Sequence, residues 1–141
     1  MQLKIKKLQT EAVTPKYANH DDAGMDLFSL DEIIINKNQR VQIPTGIAME
    51  IPEGYVGLIW DKSGLSHKYG LKTLGGVIDS GYRGEIKVGM INLSGEDYRI
   101  GKGDKVAQMI IQQKTTVDIV EVKELDDKSQ RGDGGFGSTG K

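Results

Sequence analysis

Gly75-Gly-Val-Ile-Asp-Ser-Gly-Tyr-Arg-Gly-Glu-Ile-Lys-Val-Gly-Met90 is the stretch on which the reading of this chain turns. Its second half, Glu85 to Met90, alternates polar and apolar residues with period two, the pattern of a half-buried β-strand. Its first half sets glycines on both sides of Asp79 and Tyr82, where the chain must turn. After Met90 the apolar phase passes to Ile91 and Leu93, which predicts a bulge near Gly89. Working outward, strand-like runs rich in β-branched residues recur: Ile33 to Ile35, Val41 to Ile43, Tyr55 to Trp60 and Val117 to Val122. Two segments have some helical character. Ser66 to Tyr69 predicts a single turn after Gly64. Val106, Met109 and Ile110 sit at helical spacing, but Ile110-Ile111 runs on into β-like sequence, so Asp104 to Gln113 reads as a strand. Many short strands separated by tight turns predict an all-β sandwich or barrel.

The 141 residues suffice for one domain with a real core. The one compositional break follows Leu125: residues 1–125 read as the β domain and 126–141 as a flexible, glycine-rich C-terminal tail. A formal net charge of −1, from 19 basic and 20 acidic residues, carries no basic excess for nucleic acid. The chain has no cysteine, which excludes disulfides and thiolate metal sites and fits a reducing compartment. No apolar run approaches the length of a signal peptide core or a membrane span, so the expectation is a soluble, cytoplasmic protein without membrane partners. Small β domains often cover strand edges and apolar patches by assembling into oligomers.

Five segments carry chemistry-bearing residues. Asp22 to Leu27 places Asp26 between apolar neighbours, where a carboxylate needs a reason to be. Lys62-Ser63-Gly64 combines a cation, a hydroxyl and a glycine, which suits a phosphate. Gly75 to Glu85 frames Asp79 and Tyr82, and Gly103 to Ile110 contains Gln108. The tail, Arg131-Gly-Asp-Gly-Gly-Phe-Gly-Ser-Thr-Gly-Lys141, offers a cation, an aromatic ring and free N–H groups. Each alone has a plainer reading: a turn cap, a surface turn, an Asx turn, a polar strand face, a loose terminus. Gly135 to Lys141 imitates a phosphate-binding loop but lacks the following Ser/Thr and helix that such a loop requires. Arg131-Gly132-Asp133 matches an adhesion tripeptide by coincidence.

In this order and spacing the five segments resemble the trimeric dUTP diphosphatases (dUTPases), from about Asp22 to Lys141. Gly-Val-Ile-Asp followed by Gly-Tyr-Arg-Gly-Glu, and Arg-Gly-Asp-Gly-Gly-Phe-Gly-Ser-Thr-Gly, are the specific matches. The resemblance implies a jelly-roll-like β fold and a homotrimer whose three active sites each draw on all three subunits. It implies hydrolysis of dUTP to dUMP and pyrophosphate with Mg²⁺, water attacking the α-phosphorus. Asp79 would orient and deprotonate that water, and the Tyr82 ring would pack under the deoxyribose and leave no room for a 2′-hydroxyl. Thr73, Gly76, Val77 and Ile78 would form the uracil-reading hairpin. Lys62, Ser63, Gly64 and Gln108 would hold the phosphates. Arg131, Phe136, Gly137 and Ser138 would close over the nucleotide, with Arg131 on the γ-phosphate and Phe136 stacked on uracil. Asp26 would hold either the metal's water shell or the tail arginine, the metal itself resting mainly on the triphosphate.

Four positions depart from the family pattern. Asp61 stands where proline is frequent, which predicts a looser turn. Lys62 stands for arginine, Thr73 for asparagine and Gly81 for aspartate. The alternatives are the related dCTP deaminases, which share the fold, and a non-catalytic protein that senses dUTP.

Overall fold

This computed structural model describes residues 1–126, 128, 129 and 132–134, and ten strands and one short helix lie among them. The strands are β1 (Lys4–Lys7), β2 (Met25–Phe28), β3 (Ile33–Ile35), β4 (Arg40–Glu50), β5 (Tyr55–Trp60), β6 (Leu71–Leu74), β7 (Val77–Asp79), β8 (Glu85–Asn92), β9 (Tyr98–Ile100) and β10 (Lys105–Gln113). The helix, α1 (Ser63–Tyr69), lies between β5 and β6. One sheet has the order β1-β4-β8-β6, a second β2-β10-β5-β7, and β3 pairs with β9. Every pairing is antiparallel. A single apolar core joins the two large sheets, with Ile43, Ile47, Ile86, Val88 and Met90 from one and Met25, Leu27, Ile59, Val106 and Met109 from the other. The fold is the all-β sandwich that the sequence predicts.

The period-two reading of β8 holds further than expected. Ile86, Val88, Met90 and Asn92 are all buried, so the inward phase continues past Gly89 without the predicted bulge. Gly89 serves a close approach instead: a Cβ there would lie 2.9 Å from the Leu74 carbonyl oxygen on β6. The irregularity sits across the ladder in β4, where Pro44 to Ala48 spans only Lys87 to Glu85 of β8. Gly46 takes φ +67° at this kink, and its N–H donates to the Glu85 carboxylate at 3.0 Å.

Two other expectations are corrected. Helix α1 begins at Ser63, three residues before the predicted turn, and closes on Gly70, whose left-handed backbone (φ +66°) lets its N–H return to the Ser66 carbonyl. Val117 to Val122 forms no strand. Its neighbour in the chain, β10, is already flanked by β2 and β5, the segment pairs with no strand among the described residues, and Ile119 is 94% exposed. The β10 assignment itself holds. A register shift between Lys105 and Ala107 puts Val106 and Ala107 both inside, which accounts for the helix-like spacing of its apolar residues.

Candidate active site

Register across the second sheet assembles one group of residues. Asp26 on β2 faces Gln108 on β10, and Gln108 faces Trp60, the last residue of β5. The turn that follows carries Asp61 and Lys62 into the start of α1 at Ser63 and Gly64. Asp26, Lys62, Ser63, Gly64 and Gln108 therefore line one cleft of about 240 Å³. Ser63 and Gly64 are exposed to it, and a Cβ at Gly64 would meet nothing. At Gly24 a side chain would run into the Gln108 amide, so that glycine is what lets β10 present its glutamine.

Asp26 is 3% exposed. Lys62 Nζ donates to its Oδ1 at 2.5 Å, and Lys105 Nζ forms an ion pair with Oδ2 at 2.7 Å without the direction of a hydrogen bond. Burial pushes the carboxyl up, but Lys105 and Lys62 outweigh it and hold it below the ordinary carboxylate range. Two cations are thus the reason for this carboxylate between apolar neighbours. Lys105 had a signal in the sequence, since it sits in the fourth segment three residues before Gln108.

The hairpin between β6 and β7 makes a second, narrower space of about 140 Å³, walled by Thr73, Gly76 and Val77 on one side and Ile59 and Trp60 on the other. Gly75 and Gly76 have φ of +67° and +99°. The Ile59 N–H donates to the Gly76 carbonyl at 2.8 Å, and a Cβ at Gly76 would stand 2.8 Å from the Ile59 oxygen. Only glycine permits this approach. Thr73 directs its donors inward: its N–H and hydroxyl both reach Asp61 Oδ1 at 2.7 Å. Lys72 Nζ takes Asp61 Oδ2 at 2.6 Å, and Gln108 Nε2 donates to the Asp61 carbonyl at 2.8 Å. Burial raises the Asp61 pKa, while Lys72 and the two Thr73 donors lower it further, with a net shift downward. The turn at Asp61 is accordingly pinned rather than loosened, since the carboxylate supplies the restraint that proline would give through its ring.

A third cleft, about 420 Å³, holds Asp79, Tyr82 and Ile78, with Glu85 and Lys87 opposite. Val77 lines both this cleft and the glycine-walled slot, so the two adjoin. Asp79 ends β7 exposed. Its carbonyl accepts the Tyr82 N–H at 3.1 Å, closing the turn. Arg83 stiffens that turn through the carbonyls of Ser80 (2.6 Å) and Tyr82 (2.9 Å). The Tyr82 hydroxyl donates to the Glu85 carbonyl at 3.1 Å, and the half-exposed side chain lines the cleft. Arg131, Phe136, Gly137 and Ser138 lie outside the described residues.

The chain keeps the two halves of the site apart. Asp79 faces Val56 near one end of β5, whereas Gln108 faces Trp60 at the other. Four residues along the strand and two strand spacings across it separate Asp79 from Gln108 by about 16 Å, and a third spacing takes Asp26 to about 19 Å. No group of three or more His, Cys, Asp or Glu among the described residues could hold a bare metal ion. What faces the phosphate-type cleft is Asp22 and the lysine-bound Asp26. That set suits a hydrated ion arriving on a polyphosphate, which is how Mg²⁺ is usually bound.

The dUTPase family matches residues 10–140. The chain is 50% identical over 141 residues to a deoxyuridine 5'-triphosphate nucleotidohydrolase of Clostridium tetani, covering 99% of this chain and 97% of that one. It is 45% identical to its counterpart in Paramecium bursaria Chlorella virus 1, over 98% and 97% of the two chains. Among solved structures, a point mutant of the dUTPase of Staphylococcus bacteriophage 80alpha with dUpNHpp superposes with a TM-score of 0.93 at 31% identity, over 99% of this chain and 98% of that one. A phage phi11 dUTPase, in which a structural Mg(II) ion is coordinated, superposes at 0.84 with 29% identity, over 89% and 99%. No helix of the described residues is long and apolar enough to cross a membrane.

Proposed function

The chain belongs to the dUTPase family, and from that premise we propose how its residues divide the work. It is a dUTP diphosphatase, hydrolysing dUTP to dUMP and pyrophosphate, and the deaminase reading is not favoured. Water attacks the α-phosphorus as the bond to the bridging oxygen of the β-phosphate breaks. Pyrophosphate takes that electron pair, and the water's proton passes to the Asp79 carboxylate, which as an anion can accept it. The Tyr82 ring sits under the deoxyribose. The Thr73–Ile78 hairpin encloses uracil, with Gly76 allowing the backbone to reach the base edge. The observation that carries this reading is the continuity of the glycine-walled slot with the Asp79 cleft through Val77, which matches a base joined to its sugar.

Lys62, Ser63, Gly64 and Gln108 receive the phosphates. Mg²⁺, when bound, would neutralise phosphate charge, and Asp26 and Asp22 are the carboxylates lining the cleft that would meet its bound waters. A separation of about 16 Å between Asp79 and Gln108 is too great for both to act on one α-phosphate. We therefore assign them to different subunits of a homotrimer, one giving the base slot and Asp79 and a neighbour the phosphate cleft. The tail, residues 126–141, brings Arg131 to the γ-phosphate and Phe136 to the base, with Gly137 and Ser138 closing the phosphates. Such an enzyme works on the deoxynucleotide pool of the cytoplasm.

The test is a product assay with dUTP, UTP, dTTP and dCTP, with and without Mg²⁺. Metal-dependent pyrophosphate and dUMP from dUTP alone is the expected result. Ammonia from dCTP would instead place the chain with the deaminases, and tight dUTP binding without turnover would make it a sensor.

A further inference from the structure

The walls of the narrow slot come from different sheets, and this gives Asp61 a task. Trp60 ends β5, in the second sheet, whereas Lys72 and Thr73 lie on β6, at the edge of the first. The chain crosses between sheets in the hairpin and returns as β7 beside β5. On that return side the slot is closed by backbone: the Leu58–Val77 register and the bond from Ile59 N–H to the Gly76 carbonyl. On the other side no ladder can form, because β5 and β6 are not neighbours in any sheet. The Asp61 carboxylate takes the place of a ladder. It spans from the end of β5 to β6 and accepts from the Thr73 N–H, the Thr73 hydroxyl and Lys72 Nζ, all within 2.7 Å. Its own backbone is held from behind by the Gln108 amide. The Asp61 carboxylate is 21% exposed, so these bonds are largely shielded from competing water.

We propose that Asp61 is a positioning residue that sets the width of the base slot and thereby the selectivity for uracil over its 5-methyl counterpart. This rests on the reading of the slot as the base site. A pocket that rejects one added methyl group must hold its walls to a fraction of that group's size, and a methyl difference is worth roughly 10–200-fold in discrimination. Here β6 is laddered to β8 on its far side, and the Asp61 carboxylate is the tie that sets its distance from the end of β5 across the slot. In this role Asp61 acts through Thr73 and the hairpin.

The experiment compares kcat/KM for dUTP and dTTP in wild type, Asp61→Ala, Asp61→Asn and Thr73→Val. It is accompanied by thermal melting and by titration with dUMP and dTMP, read from Trp60, the chain's single tryptophan, which lines the slot. Asp61→Ala is expected to lower the dUTP/dTTP ratio at least about tenfold and to raise KM for dUTP while kcat changes little. Asp61→Asn keeps an acceptor for Thr73 and should hold the ratio within about threefold. Thr73→Val removes one donor at constant shape and should fall between. A general loss of structure would depress both substrates together. An unchanged ratio in folded Asp61→Ala overturns the proposal. If Asp61→Ala does not fold, an unchanged ratio in Thr73→Val does so. Wild-type enzyme that fails to turn over dUTP would sink the reading of the site instead, and wild-type selectivity retained by folded Asp61→Ala sinks only this inference.

Discussion

Two inactive variants should restore each other when their chains are mixed. Asp79→Asn removes the base for the water while leaving the phosphate cleft intact, and loss of a general base costs about a hundredfold or more. Ser63→Glu puts a carboxylate at an exposed position on the other cleft, and repulsion of a polyphosphate there should likewise cost about a hundredfold or more. The two positions line clefts that share no residue. If each site takes Asp79 from one subunit and the phosphate cleft from a neighbour, an equimolar random trimer has an intact pair at about one half of one half of its sites. Activity should therefore recover to about a quarter of wild type, roughly 25-fold above either variant alone. The chains are unfolded together, refolded, confirmed as mixed trimers by native mass spectrometry and assayed for pyrophosphate. If one chain supplied both halves, no chain in the mixture would be whole. Confirmed mixed trimers at background activity would refute the division of the site between subunits.

Replacing Asp26 by alanine leaves Lys62 and Lys105 without their shared anion. Both lysines are partly solvated, so the cost sits near the low end for a broken buried pair, about 2–3 kcal/mol by denaturant unfolding. Because the folded-state pKa of Asp26 is depressed, its contribution is full above the ordinary carboxylate pKa of about 4 and is lost as pH falls through the lower folded value. The stability gap between wild type and Asp26→Asn should therefore be widest near neutral pH and close below about pH 4; a constant gap would contradict the ion-pair account. Gly76→Ala forces a Cβ to 2.8 Å from the Ile59 oxygen at φ +99° and should raise KM for dUTP at least about tenfold. Deleting Gln130 to Lys141 should leave melting unchanged and cut dUTP turnover at least about tenfold, the scale of one lost base-stacking contact. A truncated chain that instead dissociates would make the tail structural.

Much of the fold was legible because β8, β5 and β10 write their burial directly into alternation or β-branched runs. The misreadings share a cause: each depended on a neighbour distant in sequence. Gly89 looks like a bulge until Leu74 is seen beside it. Val117 to Val122 has strand propensity, yet it pairs with no strand among the described residues. Helix α1 gains its first residues from Ser63-Gly64, which carry no helical signal and no side-chain cap. At the site, the family resemblance singled out Asp79, Tyr82, Ser63 and Gln108, and the structure places the first two on one cleft and the last two on another. The resemblance could not show that Asp79 and Gln108 stand at opposite ends of β5. Asp61 was read as a loosened turn because its partner lies 12 residues further on, where Thr73 appeared only as a separate departure.

Asp61 and Thr73 are joined by two hydrogen bonds, and this limits the order in which such a chain can change. With Asp61 in place, Thr73 has its N–H and hydroxyl satisfied. Proline introduced first at position 61 would strand both donors at a position only 8% exposed, a cost of about 1–3 kcal/mol for each. Any lineage moving between the aspartate and proline forms would do better to alter residue 73 before residue 61. Substitutions at 61 and 73 are therefore expected to be non-additive, since each changes what the other residue's bonds are worth.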